Sequence, residues 1–289
     1  MDQERINACG KFIDSLIQHN VDETSYKWLR EKALFAAEEK GNTSLQLAFA
    51  AIPRKIGRKH VHFTPGDEEN IGDTCSGLIS KHWTLDMFAR LVLILQLDVS
   101  DKSVYVGKLE SLFRGAEMNE LVALYSFLPF FAYPEAWQFR TAEGVRSNIG
   151  LVLEAIMYDN PYPSKYLPEA AWNQLVLKAF FTDKDVKRII GLDQRRNKHL
   201  AAILVDYAHE RWAAGRNVNP QLWRLVAPYI DEKVFPDLKR LFEIGDKTEK
   251  YAAALACYYT DYQPAKLLIQ DDRAVNKSIA ENTLHWGLI

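Results

Sequence analysis

The chain has 289 residues, of which 48% are hydrophobic and 26% charged, with a formal net charge of −2 and a pI near 6.4. That balance supplies a sizeable core and excludes wholesale disorder, while the near-neutral charge gives no sign of nucleic-acid binding. Cys9, Cys75 and Cys257 lie far apart without a Cys-x-x-Cys pair, which argues against a zinc site or disulfide framework and fits a reducing compartment.

The N-terminus, MDQERINACGKFIDSL, carries acidic residues and no continuous apolar run, so no secretory signal is expected. Ile6, Ile13, Leu16 and Ile17 give a first helix its face, ending near Asn20. Asp22 is placed to cap a second helix bearing Trp28, Leu29, Ala33, Leu34 and Ala37. Ser44 to Ile52 predicts a short apolar helix that stops at Pro53. Residues 54–83 show no clean period and are punctuated by glycine and proline, which predicts a mobile loop over about 57–83 with room for one short strand or helical turn.

That loop opens with Arg54, Lys55, Arg58 and Lys59, followed by His60 and His62. Arg54, Arg58 and Lys59 are candidate ligand-binding residues for an anion or phosphate, although a solvated basic loop balanced by Asp67, Glu68 and Glu69 is the preferred reading. The two imidazoles would face one way on an extended segment, but no third metal ligand lies nearby, and neither metal nor cofactor is expected.

Thr84 is placed to cap the strongly apolar helix LDMFARLVLILQL. Further helices are expected around Val104 to Phe113, from Glu117 to Phe131, and from Pro134. The greasy run Leu121 to Tyr133 is broken by Ser126 and Pro129 and is too short to span a bilayer, so a soluble, cytoplasmic protein is expected. PEAW at Pro134 recurs as PEAAW at Pro168, which reads as a shared helix-start signal. The proline-marked DNPYPSKYLP places an internal boundary near 159–167 within a single domain of residues 1–289.

Pro168 to Trp223 reads as three consecutive helices. In the first, Trp172, Leu175, Val176, Leu177, Phe180 and Phe181 leave no polar side, which predicts a helix at the centre of the fold. In the third, about Asn197 to Ala214, Leu200, Leu204, Ala208 and Trp212 run along an apolar face shared with Ile203, Val205 and Tyr207. Asp206, His209 and Glu210 lie on the other side. Arg211 falls inside the apolar stripe, so its charge requires a carboxylate from another helix, a route to water, or a cavity holding an anion. A structural ion pair is the expectation. Asp206-x-x-His209 resembles half of a helical metal site, but Glu281 and His285 have the wrong spacing to be the other half, and a solvated polar face is preferred. Beyond Asn219-Pro220, helices are expected over about 220–229, 232–244, 248–260 and 264–285.

The whole is expected to be all-α, built of stacked antiparallel helix pairs in a solenoid-like, HEAT- or TPR-like arrangement. No Gly-rich phosphate loop, His-Glu-x-x-His or Gly-x-Ser-x-Gly occurs. A non-catalytic helical binding or scaffold protein is therefore preferred. The alternatives are an enzyme using Asp206, His209 and Glu210 with Arg211 on an anionic substrate, and a ligand-free protein–protein adaptor.

The block NQLVLKAFF, then IIGLDQRRNKHLAAILVDYAHERWAAGR and a Pro-x-x-Trp, resembles the EboA-domain family. The matching positions are Asn173 to Lys178, Gly191-Leu192-Asp193, Asn197, Leu200-Ala201, Asp206 to Ala208, Glu210-Arg211 and Ala213 to Arg216, with Leu45 to Arg54 a familiar apolar helix ending in Pro-Arg. Members are described as metabolite-traffic proteins, associated with a prenyltransferase-containing gene cluster and with moving small-molecule precursors toward the periplasm. The resemblance implies a role in transport or biosynthesis of a small, partly apolar secondary-metabolite precursor. It implies the metabolite itself, or a membrane-associated biosynthetic enzyme, as partner, with no membrane span. It carries no catalytic residue.

Overall fold

Short amphipathic segments separated by proline, glycine and small polar caps fold as seventeen α-helices among the described residues, with no strand beyond an isolated bridge between His60 and Thr84. The computed structural model describes residues 3–38, 42–73, 75 and 82–289. The protein is all-α, and its chain forms two compact units, Met1–Pro168 and Glu169–Ile289. No helix among the described residues is long and apolar enough to cross a membrane.

The first unit runs α1 (Gln3–Asn20), α2 (Glu23–Glu38), α3 (Thr43–Lys55), α4 (Pro65–Asp73), α5 (Leu85–Leu95), α6 (Lys102–Gly115), α7 (Met118–Ser126), α8 (Gln138–Arg146), α9 (Gly150–Met157) and α10 (Tyr162–Tyr166). The second runs α11 (Glu169–Phe181), α12 (Lys198–Ala213), α13 (Leu222–Val226), α14 (Phe235–Ile244), α15 (Lys247–Tyr259), α16 (Gln263–Ile269) and α17 (Arg273–Ala280). Small acidic or amide side chains start several of these helices by accepting otherwise orphaned N–H groups. Asp22 accepts from Ser25 at 2.9 Å, Asp101 from Ser103 and Val104, and Asn197 from Leu200 at 2.8 Å.

The helix buried on every side is α5. It packs against α1, α2 and α3, and every residue from Leu85 to Ile94 except Met87 is buried. Two charges go inside with it. Arg90, 1% exposed, meets Asp86 at 2.6 Å and lies over the Phe49 ring, with Glu120 at 3.8 Å. Nearby, the buried Lys108 ammonium donates to the Ala36 carbonyl at 2.9 Å, near the negative end of α2.

Several expectations require correction. α3 continues past Pro53 to Lys55; only two residues lie beyond the proline, so it costs the helix a single backbone bond near its end. The segment expected to be a long loop contains α4, begun by a Thr64–Asp67 exchange in which each side chain accepts the other's backbone N–H at 2.8 and 3.2 Å. Residues 74 and 76–81 of that segment lie outside the described residues.

The expectation of no disulfide is overturned. Cys9 and Cys75 form a buried disulfide with Cα atoms 5.3 Å apart, fastening α1 to the chain just after α4. A sequence separation of 66 residues gave no hint of it. Phe181 is 68% exposed, so α11 buries one broad face rather than all sides. The middle of the three expected helices is a 3-10 turn, Val186–Arg188, followed by turns. The expected helix over 264–285 is broken into α16 and α17.

Candidate functional site

Two of the polar residues singled out on α12 have separate partners. Asp206, His209 and Glu210 are exposed. His209 places Nε2 2.8 Å from Asp237 on α14, beside the Trp212 ring. Trp212 stacks on Trp223 and carries the Arg240 guanidinium 4.5 Å from its centroid, so this corner is a packed aromatic–cation seam. Arg211 meets no carboxylate among the described residues. Its Nε donates to the Asn217 carbonyl at 3.0 Å, and its Cζ lies 6.0 Å from the Tyr207 centroid. The expected ion pair fails because α12 ends two residues later and the chain curls back, offering a carbonyl instead. Arg54, Arg58 and Lys59 belong to the other unit, where all three are exposed. Among the described residues, no group of three or more His, Cys, Asp or Glu could hold a metal ion.

The GLDQRRN segment serves the fold. Asn173 and Asn197 exchange amide hydrogen bonds at 3.3 and 2.9 Å, joining α11 to the start of α12. Asp193 receives both Nε and Nη2 of Arg224, a two-pronged pair that fixes α13. Arg195 lies 4.9 Å above the Trp172 ring, and Gly191 takes φ 86°, a conformation that penalises any side chain. These contacts account for amide, acid, arginine and glycine at those positions without a ligand.

The first unit offers a different site, one that the sequence reading did not find. A cleft of about 390 Å³ lies between α1, the end of α5 and the turn after α7. A second hollow of about 270 Å³ shares Ile6, Val99 and Ala132 with it as a common wall. Gly10 makes room: a Cβ there would sit 3.2 Å from Leu95. Phe130, Phe131, Tyr133 and Tyr166 make the wall apolar and aromatic, while Lys11, Asp14 and Arg30 line the first hollow and not the second.

The wall is held with unusual firmness for a loop. Tyr105 accepts the Ala132 N–H at 3.2 Å, and the Trp137 indole donates to the Ala132 carbonyl at 2.8 Å. The Tyr133 hydroxyl donates to the Val99 carbonyl and the Tyr162 hydroxyl to the Pro134 carbonyl. Tyr133 itself sits at φ 54°, an uncommon conformation for a bulky residue that persists where surrounding contacts over-determine it. Burial pushes the Tyr105 hydroxyl up to about 12, so it remains a neutral partner for Ala132 at physiological pH. The one signal in the sequence was aromatic density between Tyr125 and Trp137, which reads equally well as core.

Fold and cleft together define an all-α protein with a firmly walled hollow of small-molecule size. The chain belongs to the EboA family, described as metabolite traffic protein EboA, which matches residues 9–227. No curated protein and no solved structure matches it.

Proposed function

We propose that this chain is a non-catalytic binding protein that holds a small, partly apolar secondary-metabolite precursor during its transport or biosynthesis, and that the cleft in the first unit is where it does so. The family's metabolite-traffic description supports the role. The observation that carries the site is the 128–134 turn, which four side-chain hydrogen bonds hold against an otherwise open hollow. Ordering cost is then met in folding rather than in binding, which favours capture of a small ligand.

The enzyme alternative using Asp206, His209, Glu210 and Arg211 has less support, since His209 is engaged by Asp237 and Arg211 by the Asn217 carbonyl. The metabolite would be handed to or received from a partner such as a membrane-associated biosynthetic enzyme. A cytoplasmic location is proposed on the sequence reading; the Cys9–Cys75 bond weighs against it, since disulfides rarely persist in reducing compartments.

Native mass spectrometry of the full chain purified from its own source is the test. A retained small molecule is expected on the parent and should be lost from Val99→Trp, in which a ring would fill the hollow from a position that is 44% exposed. A molecule retained equally by both would place the site elsewhere.

A further inference from the structure

The charges at one end of the cleft are unbalanced, and this points to the chemistry of the ligand's head. Among the described lining residues, two cations, Lys11 and Arg30, stand with one carboxylate, Asp14. Asp14 is already engaged on both oxygens, by the Tyr26 hydroxyl at 3.1 Å and by Arg30 at 3.4 Å. Arg30 contributes a single long contact to that pair and carries five N–H donors, so most of its capacity is unspent. Lys11, exposed, has no ion pair among the described residues. The side chains lining the second hollow carry no charge: Leu128, Pro129, Phe131, Tyr133 and Pro134 line it beside the shared residues. The cations therefore belong to the first hollow, while the second, which shares a wall with it, is uncharged among the described residues.

We infer that the cleft takes an amphiphilic anion, a monomeric small molecule whose carboxylate or phosphate lies at Arg30 and Lys11 and whose apolar body runs along the 128–134 turn. This rests on the cleft being the metabolite site and adds the charge of the head. A guanidinium with free donors pairs with a carboxylate or phosphate through parallel N–H groups, and the apolar wall contributes in proportion to the area it covers. Neither end alone suffices: the head groups are partly exposed and screened, and the wall does not distinguish one alkyl chain from another.

The test is titration calorimetry of the full chain with four probes: decanoate, decyl phosphate, decanol and decyltrimethylammonium, each kept below its micelle concentration, with acetate and inorganic phosphate as heads without bodies. Decanoate or decyl phosphate should bind about tenfold or more tightly than decanol, the cation more weakly still, and the bare heads not measurably. Arg30→Gln should bring the anions down to the decanol level and leave decanol unchanged, while Val99→Trp should weaken all of them. Circular dichroism of both variants establishes that they fold. Equal binding of all four amphiphiles, insensitive to Arg30→Gln but lost in Val99→Trp, would overturn the anionic head and leave the cleft standing. Binding insensitive to Val99→Trp, or none by any probe, would overturn both.

Discussion

The Tyr105 hydroxyl accepts the Ala132 N–H at 3.2 Å, linking α6 to the turn that walls the cleft. Tyr105 is 2% exposed, whereas Ala132 is part-buried and lines the cleft. Tyr105→Phe removes the acceptor from the part-buried Ala132 N–H and is expected to destabilise the protein by about 0.5–1.5 kcal/mol. Urea denaturation checks this, and a change below about 0.5 kcal/mol would mean the turn is held without it. The raised tyrosine also sets a sign with pH. Its contribution is full below pH 10.0, the ordinary value, and is lost as pH climbs toward about 12, because the unfolded hydroxyl ionises first.

The Asp86–Arg90 pair predicts a second asymmetry. Both side chains are at most 5% exposed, so removing one strands the other in the core. Arg90→Met should cost roughly 3–5 kcal/mol, whereas Asp86→Leu combined with Arg90→Met should recover much of that loss. Thermal unfolding of the single and double variants decides it. A double variant no more stable than the single would show that Glu120, rather than Asp86, is the controlling partner.

How far the sequence disclosed this arrangement depends on the range of the contacts involved. Helix existence was legible from local signals, such as the Asp22 cap and the apolar period of α12, because those interactions close within four residues. The arginine within LDMFARLVLILQL gives no sign of its burial, since an Asp-x-x-x-Arg spacing looks the same whether the pair faces water or core. The Cys9–Cys75 bond and the cleft depend on segments far apart in the chain meeting, which no local period encodes. The family resemblance drew attention to Asn173, Asp193 and Asn197, and the structure spends those residues on joining helices.

The disulfide is open to a direct count. The oxidised protein should show one thiol when unfolded without reductant and three after reduction. Cys257 should stay unmodified by iodoacetamide in the native protein at neutral pH, because burial pushes its thiol up to about 12. Replacing Cys9 and Cys75 by serine should cost roughly 4 kcal/mol, the value for a closed loop of this size. Three reactive thiols on unfolding without reductant would show that the bond does not form.

Arg211 is expected to matter less than its place in the apolar stripe implied. It donates to one carbonyl and is partly exposed, so Arg211→Leu should cost about 0.5–1.5 kcal/mol. Chemical denaturation gives the value, and a loss above about 3 kcal/mol would restore the buried ion pair as the better description.

Hydrogen–deuterium exchange tests the central claim, that the small molecule binds in the first unit's cleft, most directly. The comparison is between the full chain carrying its co-purified molecule and the same protein stripped of it. Slower exchange when loaded is expected in the segments that wall the hollow, residues 6–14, 95–99 and 128–134. Protection confined instead to 198–216, with those three segments unchanged, would contradict the account and return the site to the polar face of α12.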